Sequence, residues 1–261
     1  MKILVAGLSK TGTTALYSLI SNALPDQYHR LFEPRSFINI DSNNVLCKVL
    51  LGPRLDIPSF DSFEKRITIV RDMRDRVISV LLYQQFHASY LKDLHSVKRV
   101  QDVLVQKETD PHSVSLLSIL DVIGEVSNDP SLPQRFFERI EIAIRNFDTY
   151  FNLYNKSLIF PYENLIKHNF ESIKHYLDLD LPEKIVMPDT YKRVVRTKSD
   201  GNWRNWFTQM DIDFMQSWIS PWLTRNGYDG KDWELNEKPI INPNHCSLYF
   251  ARLVKEANNR K

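Results

Sequence analysis

An α/β fold of three layers around a central parallel sheet is what this sequence predicts, and three observations predict it. A short apolar run feeds a glycine loop and then a helical period, all within residues 2–24. Strand pattern and helix pattern then alternate as far as residue 86. The strand-like runs are nearly continuous in apolar residues, as strands covered on both faces are.

Taken in order, Lys2–Ala6 (KILVA) is the first such strand. Ala15, Leu16, Leu19, Ile20, Ala23 and Leu24 then recur at helical spacing, and Pro25-Asp26 ends that helix. Tyr28–Phe32, Val45–Leu51 and Arg66–Val70 read as further strands, and helical spacing returns over Asp72–Phe86. Residues 84–154 read as mostly helical, with a break near Asn128, Pro130 and Pro133; we expect an insertion or lid there. Ser157–Phe160 supplies one more strand. No repeat, low-complexity stretch or linker interrupts the chain, so residues 1–261 are expected to form one domain.

Composition bounds the function. The 261 residues are 43% hydrophobic and 25% charged, ordinary for a chain that buries a core. A net charge of +2 offers no broad footprint for nucleic acid. Cys47 and Cys246 show neither metal-ligand spacing nor a disulfide framework, and no metal site is expected. No apolar run approaches the ~18–20 residues that span a bilayer. Met1-Lys2 leads straight into the first strand, so neither leader nor anchor is expected and the expected location is the cytoplasm.

The loop Val5-Ala6-Gly7-Leu8-Ser9-Lys10-Thr11-Gly12-Thr13-Thr14 has the glycine spacing of a phosphate-binding loop, with Thr14 at the hydroxyl position. A strand, a glycine loop and a helix start surround an anion with backbone N–H groups whatever the side chains are. Nucleotide triphosphatases and kinases place lysine directly after the second glycine. Here that position is Thr13, and the lysine is Lys10. A second segment, Arg71-Asp72-Met73-Arg74-Asp75-Arg76-Val77-Ile78-Ser79, puts a guanidinium at a strand end and a hydroxyl eight residues on, both suited to a terminal phosphate. A third runs from Arg196 through Gly201, Trp203 and Asn205 to Phe207-Thr208.

Together these segments resemble the sulfotransferase family, with its carbohydrate-type and bacterial branches. Ser9-Lys10-Thr11-Gly12-Thr13-Thr14 matches the family's loop for the 5′-phosphosulfate of the donor PAPS (3′-phosphoadenosine 5′-phosphosulfate). Arg71 and Ser79 match its 3′-phosphate motif, with Met73 where the family has proline. Arg196, Lys198, Gly201 and Trp203 lie in the segment matching its R-K-G-x-x-G-D-W-K-N-x-F-T motif, although Thr197, Lys198 and Asn202 depart from the pattern. That departure leaves open which basic group caps the 3′-phosphate. Tyr162-Glu163-Asn164-Leu165 resembles the turn whose tyrosine lies near the adenine. The matches extend from about residue 2 to residue 208.

The resemblance implies in-line transfer of a sulfuryl group from PAPS to an acceptor hydroxyl or amine, leaving the bisphosphate PAP, with Lys10 stabilising the leaving group. The family's small-molecule branch draws its general base from a K-T-H segment; here the lysine is kept as Lys48, and Leu50 holds the histidine position. Glu33, in the Phe32-Glu33-Pro34 segment, resembles the glutamate that serves as base in other branches. Its competing role is a surface pair with Arg35. Lys48 is expected to stand just behind the groups that touch substrate or to touch the sulfuryl group itself, rather than to be solvated. The missing histidine tilts the acceptor toward a carbohydrate or another hydroxylated metabolite. Two alternatives stand beside this reading: an ATP- or GTP-dependent kinase or hydrolase that needs magnesium, and a non-catalytic binder of bisphosphate nucleotides.

Overall fold

The computed structural model describes residues 1–38, 40–189, 191 and 195–259. Those residues group into two compact units, Met1–Arg71 with Glu141–Lys192, and Asp72–Ile140 with Arg193–Lys261.

The first unit holds a five-stranded sheet. Its strands are β1 (Lys2–Gly7), β2 (His29–Phe32), β3 (Val45–Leu50), β4 (Lys65–Val70) and β5 (Leu158–Pro161). All pair in parallel, in the order β2-β3-β1-β4-β5. Ile3, Val5, Leu46, Ile67, Ile69 and Phe160 belong to the same buried cluster as Leu16, Leu19 and Ile20 of helix α1 (Thr13–Ala23) and Ile173 and Leu177 of α7 (Glu171–Leu177). Leu4, Ala6, Cys47 and Val49, which alternate with these along the strands, are also 0% exposed. Both faces are therefore covered, which is why the strands read as unbroken apolar runs. A short helix, α6 (Tyr162–Ile166), follows β5 at once.

The second unit is helical among its described residues. It contains α2 (Met73–Gln84), α3 (Leu94–Thr109), α4 (Leu116–Val126), the start of α5 (Leu132–Leu153), α8 (Trp203–Trp206), α9 (Gln209–Arg225) and α10 (Ser247–Asn258). Helix α9 carries a full capping box: Thr208 and Asp211 satisfy each other's backbone N–H groups. No helix among the described residues is long and apolar enough to cross a membrane.

Lys107 of α3 is completely buried, and its Nζ donates to the carbonyls of Pro111 and Val114, both at 2.5 Å. The ammonium thus closes the loop between α3 and α4. Burial pushes its pKa from 10.5 down to about 8, against the pull of Asp211. A neutral amine still has two N–H groups for the same two carbonyls. Between those two values the unfolded chain binds more protons than the native one, so stability rises with pH. The buried thiols of Cys47 and Cys246, held above their usual range by burial, oppose this once unfolded thiols ionise near 9.0. We expect the urea-unfolding stability of the native chain relative to Lys107→Met to rise by about 1 kcal/mol from roughly pH 7.5 to 9, a difference from which the thiols cancel.

Candidate active site

Because the five strands are parallel, their C-terminal ends lie along one edge, where open α/β sheets bind ligands. Every strand brings a predicted residue to it. The loop with Ser9, Lys10, Thr11 and Gly12 follows β1, Glu33 follows β2, Lys48 sits two residues before the end of β3, Arg71 follows β4 and Tyr162 follows β5.

The loop is closed locally by Thr11, whose backbone N–H and hydroxyl both reach the Leu8 carbonyl, at 3.3 and 2.7 Å. Lys10 takes a φ of +68°, unusual for a residue with a Cβ, and Gly12 takes +94°. At Gly12 space as well as conformation demands glycine: a Cβ would meet the Tyr162 ring at 2.7 Å and Leu165 at 3.2 Å. Gly12 N-caps α1, whose first turn has no side-chain cap and no acidic residue, a terminus suited to an anion. We expect Gly12→Ala to destabilise the protein by about 2 kcal/mol in urea unfolding, through both the strained φ and the contact with Tyr162.

Arg71 ties three strand ends together. Its guanidinium lies over the Tyr162 ring at 4.3 Å, and its Nη1 donates to the Lys10 carbonyl at 3.1 Å. Arg71 and Tyr162 are both buried, the arginine 5% exposed. The side chain of Tyr162 therefore packs beneath the glycine loop and against the arginine.

Lys48 is the second organising residue. Its ammonium is 1% exposed, pairs directly with Glu33 Oε1, and donates to Thr14 Oγ1 at 3.1 Å. Its Nζ also lies 4.3 Å from the centre of the Phe32 ring. Burial lowers the lysine's pKa, and the Glu33 carboxylate pulls it back up. Glu33 thus pairs with Lys48, the partnership that the Arg35 alternative had passed over; Arg35 is exposed. Glu33 itself sits at φ +57°, with its N–H on the Lys48 carbonyl at 2.8 Å, and its carboxylate is 38% exposed. Among the described residues its Oε2 takes no hydrogen bond.

Two features of this loop differ from a magnesium-triphosphate site. Thr13, where such loops carry lysine, is 3% exposed, and its methyl packs back over Gly7. Thr14, whose hydroxyl would hold magnesium there, instead accepts a hydrogen bond from a buried cation. Lys48 so close to that hydroxyl opposes a second cation.

The remaining predicted residues belong to the second unit. Asp72 caps α2 through its Oδ1, at 2.9 Å from the Arg74 N–H, and also takes a forked pair of bonds from the Arg74 guanidinium. Arg74 lies over Trp203 at 4.1 Å and near Trp233 at 5.2 Å, and donates to the Asp232 carbonyl. Asp75 accepts from the Trp203 N–H at 2.9 Å. These charges fasten the Gly201–Trp203 turn to the start of α2. Gly201 takes φ +68° with open space around it, so its conformation alone selects glycine. Trp203 is 1% exposed, and its indole holds the turn from within. Ser79 and Arg196 are buried, Arg196 donating to the His245 carbonyl at 3.2 Å, while Lys198 is exposed.

No protein-family model and no curated protein matches this chain. Among solved structures, the crystal structure of mouse sulfotransferase SULT7A1 complexed with PAP is similar to it, at 17% sequence identity and a TM-score of 0.48. That likeness covers 86% of this chain and 85% of that one. At this distance the roles of Lys10, Glu33, Lys48 and Arg71 rest on their own geometry.

Proposed function

We propose that this chain is a sulfotransferase that moves a sulfuryl group from PAPS to a hydroxyl or amine of a small acceptor, with a carbohydrate or other hydroxylated metabolite favoured. The observation that carries this reading is the buried Lys48 ammonium, which links Glu33 to Thr14 in the first turn of the loop's own helix. A candidate base is thereby held beside an anion-binding loop whose magnesium position is spoiled. The residues present also fit the donor: the Gly7 and Gly12 positions leave no room for a Cβ, and the start of α1 bears no acidic residue.

PAPS supplies an activated sulfuryl group with a bisphosphate leaving group. The N–H groups of the loop bind its 5′ end and Arg71 is the first unit's cation for the 3′-phosphate, while for Ser79, Arg196 and Gly201 a 3′-phosphate role rests on the sequence resemblance. Lys198 is the exposed cation of the same segment, and Trp203 keeps its turn in shape. Glu33 accepts the acceptor's proton as the new S–O or S–N bond forms. The old S–O bond breaks with its electron pair on PAP, and Lys10 offsets the charge that develops there. Lys48 fixes one oxygen of Glu33 and leaves the other for the proton.

The test is incubation of the full chain with radiolabelled PAPS and a panel of hydroxylated and aminated metabolites. Acceptor-dependent release of PAP, with label on the acceptor, is the expected result. Binding of PAP without transfer to any member, or to water, favours a non-catalytic binder.

A further inference from the structure

A cavity of about 340 Å³ opens within the second unit, between the end of α2, α4 and the start of α5. Its polar side is formed by Arg135, Arg139, His87 and Gln84, and its apolar side includes Ile123 and Phe136, both nearly fully buried. Arg135 and Arg139 are four residues apart on α5, so both guanidiniums project from one face of the helix. Arg135 is paired with Asp129. Arg139 forms no ion pair and no hydrogen bond among the described residues. Among the described residues lining the cavity, none is acidic. The His87 ring is held edge-on against Phe86, with centroids 5.1 Å apart.

We propose that this cavity is a binding site for a small organic anion, one that sets a phosphate or carboxylate against Arg139 and an apolar body against Ile123 and Phe136. Its size suits such a molecule, since small-ligand pockets begin at roughly 300 Å³ and combine an apolar wall with a few polar groups. A guanidinium offers planar oxyanions a fork of parallel N–H donors, and here that fork meets no carboxylate of the protein. Arg135, balanced by Asp129, gives the site shape; Arg139 gives it net charge. This inference does not depend on sulfuryl transfer.

The experiment titrates the full chain with phenyl phosphate, benzoate and inorganic phosphate, following isotopically labelled arginine side chains by NMR. Phenyl phosphate or benzoate should shift the Arg139 Nε–H signal saturably, with a dissociation constant of about 1 mM or tighter. The tighter of the two identifies the head group. Inorganic phosphate should bind about threefold more weakly than phenyl phosphate, because it lacks the apolar body. Arg139→Gln should weaken the preferred probe at least about tenfold, whereas Arg99→Gln, which removes an equal charge from the surface pair with Glu125, should not. Absence of saturable binding by both organic probes, or equal losses in the two variants, would overturn the site. Equal affinity for inorganic and phenyl phosphate would overturn its organic character.

Discussion

Glu33→Gln lowers turnover by about 10²–10⁴-fold, the range that a positioned general base contributes, while PAP affinity stays within a few-fold. The amide keeps an oxygen for the Lys48 ammonium, so the pair becomes an ordinary hydrogen bond and the loop keeps its place. What disappears is the oxygen able to take a proton. The measurement is kcat with radiolabelled PAPS and the best acceptor from the panel, alongside calorimetric PAP binding. Lys48→Met should lower turnover as well, and the double variant should lose less than the two single losses combined, because Lys48 acts by orienting Glu33. Full additivity would mean that the lysine acts independently of the carboxylate. Unchanged turnover in Glu33→Gln would remove it as the base.

Lys10→Ala should cost about 10²–10³-fold in kcat, as loss of one preorganised charge at a developing anion does. The substitution is clean for a reason visible in the backbone. Lys10 already occupies φ +68°, and alanine, which also has a Cβ, neither relieves nor adds strain there. Arg71 holds the Lys10 carbonyl, which the substitution leaves in place. PAP affinity should therefore fall much less than kcat, and Lys10→Arg should recover part of the turnover. A loss of affinity equal to the loss of turnover would make Lys10 a ground-state anchor for the donor.

The sheet was legible in the sequence because its strands are covered on both faces and so read as apolar runs without alternation. All five appear within a residue or two of their predicted bounds, from Lys2–Gly7 to Leu158–Pro161. Their order was not legible. Nothing in the strand-helix alternation says that β3 lies between β2 and β1, yet that adjacency is what brings Lys48 to Glu33. The pair is fifteen residues apart in sequence and depends on register, with Phe32 opposite Lys48, so local reasoning pointed to the nearer Arg35 instead.

The charged run from Arg71 to Asp75 shows the same limit from the other side. The 3′-phosphate motif assigns Arg71 and Ser79 and gives Asp72, Arg74 and Asp75 no part in holding that phosphate. In the structure these three cap α2 and fasten the Trp203 turn through contacts more than a hundred residues away in sequence. Only the capping role of Asp72 had a local signal, an aspartate just before a helical period. Lys107 carried no signal at all, since a lysine in an amphipathic helix reads as solvated until the loop carbonyls that surround it are seen.

The most direct measurement is thermal stability of the full chain with PAP, ATP or GTP, each with magnesium and with chelator. PAP should stabilise the protein equally under both conditions, by about 2.7 kcal/mol at a hundred times its dissociation constant, and Arg71→Ala should abolish the effect. Stabilisation by a triphosphate only with magnesium, and none by PAP, would contradict sulfuryl transfer and return the loop to the kinases.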